Sequence, residues 1–259
     1  MIGRYPMKVI FIITSVSIAL IASLIIAPTF NLIRGASWDS YSFPVNSSPY
    51  GIPYKVWTAK YWSWRVSIPK LSSPNFQNTP GYVPVECSYL QNPASHVMFL
   101  PYIGKERGST TTFSCNILHG KSIFIQIDGG MSDYSDPTVQ PKTVVTLVNQ
   151  VTKSNVYPNP FDITLDGHPL ALTNDEAFKV QTDLFNFTLP LKNLWDEPAG
   201  PDKGIGQGWF LFLKPLSPGV HILHYTTGYR DSSSDPTIPP GVGNDNAYIQ
   251  DVTYRLVVK

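Results

Sequence analysis

No helical bundle absorbs twenty-four prolines and eighteen glycines in a chain of 259 residues. Each interrupts or weakens a helix, whereas short strands joined by structured turns accommodate both. The chain is therefore expected to be all-β. It has the material for a core, with 42% hydrophobic and 13% aromatic residues against 14% charged, too apolar a balance for general disorder. A net charge of +1, with cations scattered singly, carries no footprint for a polyanion and argues against nucleic acid as a partner.

One segment departs from this pattern. From Val9 to Ala27 no side chain is charged, and 19 such residues reach across a bilayer. Arg4 and Lys8 precede the run, so the positive-inside rule assigns 1–8 to the cytoplasm, 9–28 to a transmembrane anchor and the remainder to the outside. The expected location is the cell membrane, single-pass, with the domain outside. Secretion after signal cleavage is the alternative. Small residues at both −1 and −3 are hard to find, since Ile25 lies two before Ala27 and Arg34 two before Ala36. Residues 29–53 lack a sustained period and carry Gly, Ser and Pro, which reads as a tether, leaving 54–259 as the extracytoplasmic domain.

The stretch "YKVWTAKYWSWRVSIPK" opens that domain. Trp57, Tyr61, Trp64 and Ile68 recur at helical spacing, Lys55, Lys60 and Arg65 lie off their face, and Pro69 ends the segment. Trp62 falls outside the stripe, at its margin. Such a stripe beside a sheet is the ordinary way to bury large aromatic area. A membrane-surface helix, its cations facing anionic headgroups, is the competing reading.

Downstream, "HVMFLPYI" (96–103) and "KSIFIQI" (121–127) read as buried strands. "PKTVVTLVNQVTKS" fits a helix through Val144, Leu147, Val148 and Val151. Asp166-Gly167 in "ITLDGHPL" marks a type I′ hairpin. Phe185, Phe187 and Leu189 alternate inward against Asn186 and Thr188. "GWFLFLKPLSPGVHILHYTTG" is expected to be a second hairpin turning at Pro218-Gly219, and "AYIQDVTYRLVV" a half-solvated antiparallel strand. The architecture these elements predict is a β-sandwich of jelly-roll or immunoglobulin-like layering with one or two short helices.

Cys87 and Cys115 are the only cysteines. An even count in an oxidising compartment points to a disulfide closing a 28-residue loop, and neither "VECSYL" nor "FSCNIL" offers a second ligand at metal spacing.

The order "VWTAKYWSWRVSIP", a Cys ahead of "VMFLPY", a second Cys ahead of "HGKSIFIQI", then "ITLDGHPL", "FKVQTDLFNFTLP", "GWFLFLKPLSPGVHILHY" and "DVTYRLVV" resembles a widespread family of exported bacterial and archaeal proteins without an assigned activity. The likeness spans about residues 50–259 and is strongest to the form carried by ammonia-oxidising archaea. It implies a β-sandwich and no reaction. Bacterial members tend to carry Trp where Met98 stands and a polar Asn near Asp128.

Candidate sites follow from loop chemistry. Asp196 and Asp202 in 190–207, with Asp231, Asp235 and Asp245 in 228–247, make an oxygen-rich set suited to Ca2+, although no fixed calcium-loop spacing is present. Trp195 and Tyr229 supply aromatic contact surface in or beside the same loops. Asp128, Asp133 and Asp136 in "IDGGMSDYSD" are acids that could serve as an acid/base pair or simply as turn formers. His221 and His224 fall on opposite faces of a strand and cannot share a metal. No Ser-His-Asp or Cys-His order appears in a recognised context. Asn46 and Asn186 head N-x-S/T sequons, Asn186 on the outer face of its strand. The function expected is a non-catalytic module that binds an envelope glycan or protein; a polymer hydrolase or lyase using loop carboxylates is the alternative.

Overall fold

The computed structural model describes residues 38–73, 86–102, 110–154, 161–172, 178–229 and 248–259. The anchor expected over 9–28 lies outside them, and no helix among the described residues is long and apolar enough to cross a membrane.

The chain is mostly β. Among the described residues, helices α1 (Trp38–Tyr41), α2 (Tyr54–Ser67) and α3 (Val144–Ser154) accompany ten strands. These are β1 (Val97–Phe99), β2 (Thr110–Ile117), β3 (Ser122–Asp133), β4 (Phe161–Leu165), β5 (His168–Leu172), β6 (Lys179–Gln181), β7 (Phe185–Leu189), β8 (Gly200–Leu213), β9 (Gly219–Tyr229) and β10 (Tyr248–Val258). They form two mixed five-stranded sheets, consistent with the expected sandwich. One has the order β1-β3-β8-β6 with β7 also on β8; the other runs β2-β10-β9-β4-β5. β1 on β3 and β2 on β10 are parallel pairs, the rest antiparallel.

The first sheet is buried on both faces. Ile123, Ile125 and Ile127 on β3, with Trp209, Leu211 and Leu213 on β8, share a core with Ile163, Leu223, Tyr225, Val252, Tyr254 and Leu256 of the second sheet. The alternate residues Phe124, Phe210 and Phe212 turn the other way and pack under α2. Strands covered twice lose polar alternation, which is why "SIFIQI" and "GWFLFL" read as continuous apolar runs.

Helix α2 is therefore a third layer, not a surface. Trp57, Tyr61, Trp64 and Ile68 are buried as their spacing predicts. Trp62 is not marginal: it is 1% exposed, and a Cβ on Gly206 of β8 would stand 2.3 Å from its Cδ1 and Nε1. The helix is enclosed beyond one face because chain segments overlie it. The Trp57 indole donates to the Pro49 carbonyl (3.0 Å) and the Trp64 indole to that of Tyr89 (2.8 Å). Arg65 does not face headgroups; it donates to Gln126 (2.6 Å) and lies 4.8 Å from the Trp62 ring and 4.4 Å from that of Tyr102.

Three further differences from the sequence reading bear on the site. Part of the expected tether belongs to the fold, because Ser42 bridges Leu213 and the Phe43 amide donates to the Phe212 carbonyl at 2.8 Å. Secondly, residues 208–227 are an arch. β8 and β9 sit in different sheets, joined by 214–218 with prolines at 215 and 218, and their apolar faces meet across the core instead of edge to edge. Thirdly, β10 pairs antiparallel with β9 but parallel with β2. The tight hairpin does form, with Asp166 (φ 51°) and Gly167 (φ 77°) between β4 and β5 as a type I′ turn requires. Helix α3 buries Leu147 and Val151 against Val139 and Ile205.

Cys87 and Cys115 form a disulfide with Cα atoms 5.6 Å apart, both inside the inter-sheet core.

Candidate functional site

β7 and β8 make a hairpin, Leu189 opposite Gly200, whose tip is residues 190–199. The sequence places an Asn in the middle of "PLKNLWDEPA", and its buried side chain organises the whole tip. Asn193 Nδ2 donates to the carbonyls of Pro190 (3.1 Å) and Glu197 (2.7 Å), and its Oδ1 accepts from the amides of Trp195 and Glu197, both at 3.1 Å. Lys70 ties the tip to the body, donating its amide to the Lys192 carbonyl (2.7 Å) and pairing through Nζ with Asp196. With its backbone satisfied inward, the loop turns its large apolar side chains out: Leu191 is 86% exposed and Trp195 38%. Sequence reasoning missed Asn193; its signal is the local Asx hydrogen bonding of an Asn in a turn.

At the base of the tip, acids from separate segments meet. Asp133 ends β3 and Asp202 lies on β8, near in space because Asp133 is opposite Gly204. The Ser135 amide donates to Asp133 Oδ1 and to Asp202 Oδ2, both at 2.9 Å. Burial, then the charge of Glu197, and in smaller part the charge and hydrogen bond of Asp202, push the Asp133 carboxyl up to about 7. Glu197 is also raised, by burial first and then by Asp136 and Asp202. Asp136 is held low by hydrogen bonds from Thr138 and Gln150, which outweigh its burial.

Of the expected calcium set, only Asp196 and Asp202 fall among the described residues, and they face different partners. Asp196 points to Lys70 and Asp202 to Ser135, while Asp231, Asp235 and Asp245 lie outside the described residues. No group of three or more His, Cys, Asp or Glu among the described residues is placed to hold a metal ion. Tyr229 is the last residue of β9. Asn46 and Asn186 are both exposed. Asn186 lines a shallow depression of about 480 Å3 with Phe187, Thr188, Pro201, Asp202 and Lys203. His221 bonds Asp166 (2.7 Å) and His224 bonds Asp251 (2.9 Å), each histidine with its own acid.

Asp128 is apart from this cluster. It sits beside the irregularity in the β3–β8 ladder, facing the second sheet, where it accepts from Thr227 (3.1 Å) and the Gly129 amide (2.6 Å). Burial outweighs both bonds and pushes its carboxyl up to about 6 from 3.8. Between those values the folded protein keeps a proton that the unfolded chain has lost, so this contribution to stability is complete below 3.8, is lost as pH rises from there through 6, and is gone above that. The shift corresponds to about 3 kcal/mol. Denaturant midpoints taken at about pH 4.5 and 8 are expected to show a fall that Asp128→Asn reduces; an unchanged fall in that variant would place its origin elsewhere.

No family model matches the chain, and no curated protein matches it. Among solved structures it shows a remote likeness to a chain of PbICP-C in complex with falcipain-2, at 14% identity over 64% of this chain and 100% of that one, TM-score 0.24. A second likeness is to the solution structure of amebosin, at 10% identity over 58% of this chain and 96% of that one, TM-score 0.18. At these scores the likenesses bear on neither fold nor function.

Proposed function

We propose that the protein is a non-catalytic binding module, anchored in the membrane and displayed outside it, whose contact surface is the β7–β8 hairpin tip. The observation that carries this reading is the combination of a backbone locked by Asn193 with an outward Trp195 and Leu191. Rigid aromatic anchors lose little entropy on contact and dominate interface energetics. The partner class is an envelope glycan or protein, for which tryptophan and flanking polar groups are suited. The sequon at Asn186 places a potential glycan beside the same hairpin.

The test is direct. Purified full-length protein is probed against a glycan array and against isolated envelope fractions. Trp195→Ala is expected to weaken whatever is bound by about 10- to 30-fold with no change in melting temperature. Binding that survives Trp195→Ala and Leu191→Ser together would remove the tip as the contact surface.

A hydrolase or lyase acting on an extracellular polymer is a second reading, favoured by one observation: Asp202 borders the depression and neighbours an acid protonated near neutrality. Against it, Asp133 is 3% exposed, and an acid/base pair must reach its substrate. Turnover of a polymer abolished by Asp202→Asn would decide for it.

A further inference from the structure

We propose that the hairpin tip is clasped to the body by a proton shared between Asp133 and Asp202, and that loss of this proton releases Leu191 and Trp195 from their fixed display. The purpose of the device rests on the binding reading; the device itself does not.

The Ser135 amide donates to Asp133 Oδ1 and to Asp202 Oδ2, both at 2.9 Å, and two carboxyl groups that accept from one amide are brought close to each other. A bond between two carboxyl groups exists only while one of them holds a proton. Burial and the charges of Glu197 and Asp202 favour that proton, and the Asp136 amide opposes it in smaller part. The turn after β3 contributes Asp136, whose amide donates to Asp133 Oδ1 (3.1 Å) and whose carboxylate is engaged by Thr138 and Gln150. Helix α3 supplies Gln150, a neutral donor. The tip supplies Glu197, with Oε2 buried and unpartnered. On β8 the Lys203 amide, not its ammonium, meets Asp202 (2.7 Å). Among the described residues no cation is ion-paired with any of the four acids. Four carboxylates with no ion-paired cation among the described residues repel one another, and a low-dielectric setting strengthens the repulsion.

The connection to the tip is one residue long. Glu197 faces Asp202 and Asp136 with its side chain, while its amide and carbonyl are both held by Asn193, which also holds the Trp195 amide. Displacing Glu197 to relieve repulsion removes two of the four bonds that Asn193 makes within the loop. The Asp133 carboxyl, pushed up to about 7, places the transition near neutral pH, and Glu197 is raised in the same direction by burial and by Asp136 and Asp202.

Hydrogen exchange of the full chain in detergent micelles tests this, comparing peptides over 190–199 with peptides from β9 and β10 as internal control. From about pH 5.5 to about pH 8, protection in the tip, corrected for intrinsic exchange, is expected to fall by about tenfold while the control stays level. Asp133→Asn carries a fixed donor in place of the proton and is expected to keep the tip protected at the higher pH. Glu197→Gln, at a more exposed position, removes a repelling charge and is expected to move the midpoint to lower pH. Equal protection at both pH values, or a pH dependence that persists in Asp133→Asn, overturns the clasp. A tip that opens with pH in a protein that binds nothing would sink the binding reading and leave the clasp standing.

Discussion

Trp62→Ala is expected to lower the unfolding free energy by about 3–5 kcal/mol, the range for emptying a fully buried aromatic site. The ring occupies the space over Gly206, where α2 meets β8, and the residues around it belong to a framework of rings that cannot collapse inward. Tyr61, one residue earlier, lies 5.8 Å from the Phe124 ring and 5.7 Å from that of Phe210, and the Tyr54 hydroxyl donates to the Phe210 carbonyl at 2.9 Å. Gly206→Ala is the reciprocal test. A methyl group there would meet Trp62 at 2.3 Å, well inside contact distance, so that substitution alone is also destabilising. Combining the two is expected to cost less than their sum by more than about 0.5 kcal/mol, because the truncated ring leaves room for the methyl group. Chemical denaturation of the two single variants and the double variant measures this. Strict additivity would mean that the indole does not lie on that glycine.

Cys87→Ala combined with Cys115→Ala is expected to cost about 3–4 kcal/mol in the chain-entropy account, because the bridge closes a 28-residue loop. Both sulfurs are buried with Ile117, Met98 and Leu256, so alanine is the proper replacement; serine would add an unpaired hydroxyl to an apolar site. The loop contains β1 and most of β2, an outer strand of each sheet, and the bridge thus fixes the segment around residue 87 against β2. The midpoint in denaturant with and without reductant gives the effect. An unchanged midpoint with two titratable thiols would show that the bridge stabilises nothing.

Much of the fold was legible in the sequence where a single period governed a segment. The stripe Trp57, Tyr61, Trp64 gave the inner face of α2, with Ile68 buried just past its end, Leu147 and Val151 that of α3, and Asp166-Gly167 its turn. What was not legible depends on which surfaces meet. Trp62 lies off the stripe and is buried because segments from elsewhere enclose the helix. The arch at 214–218 resembles a hairpin on paper, since two apolar runs around Pro218-Gly219 have the same signature whether they pair by edge or by face. At the site, the acids of 190–207 and of "IDGGMSDYSD" were visible as separate groups. The meeting of Asp133 with Asp202 depends on the register of β3 against β8, which no local pattern encodes. Asp196, adjacent in sequence to Glu197, faces Lys70 instead because its backbone is left-handed at φ 59° and turns the side chain away.

The parallel pairing of β2 with β10 constrains the order of events during folding. Thr110 is opposite Asp251, so the strand that carries Cys115 finds its neighbour only after more than half the polypeptide has been made. Until β10 arrives, β2 has no strand on either flank. Docking of β2 onto the second sheet thus waits on a distant closure, a topology that favours slow maturation.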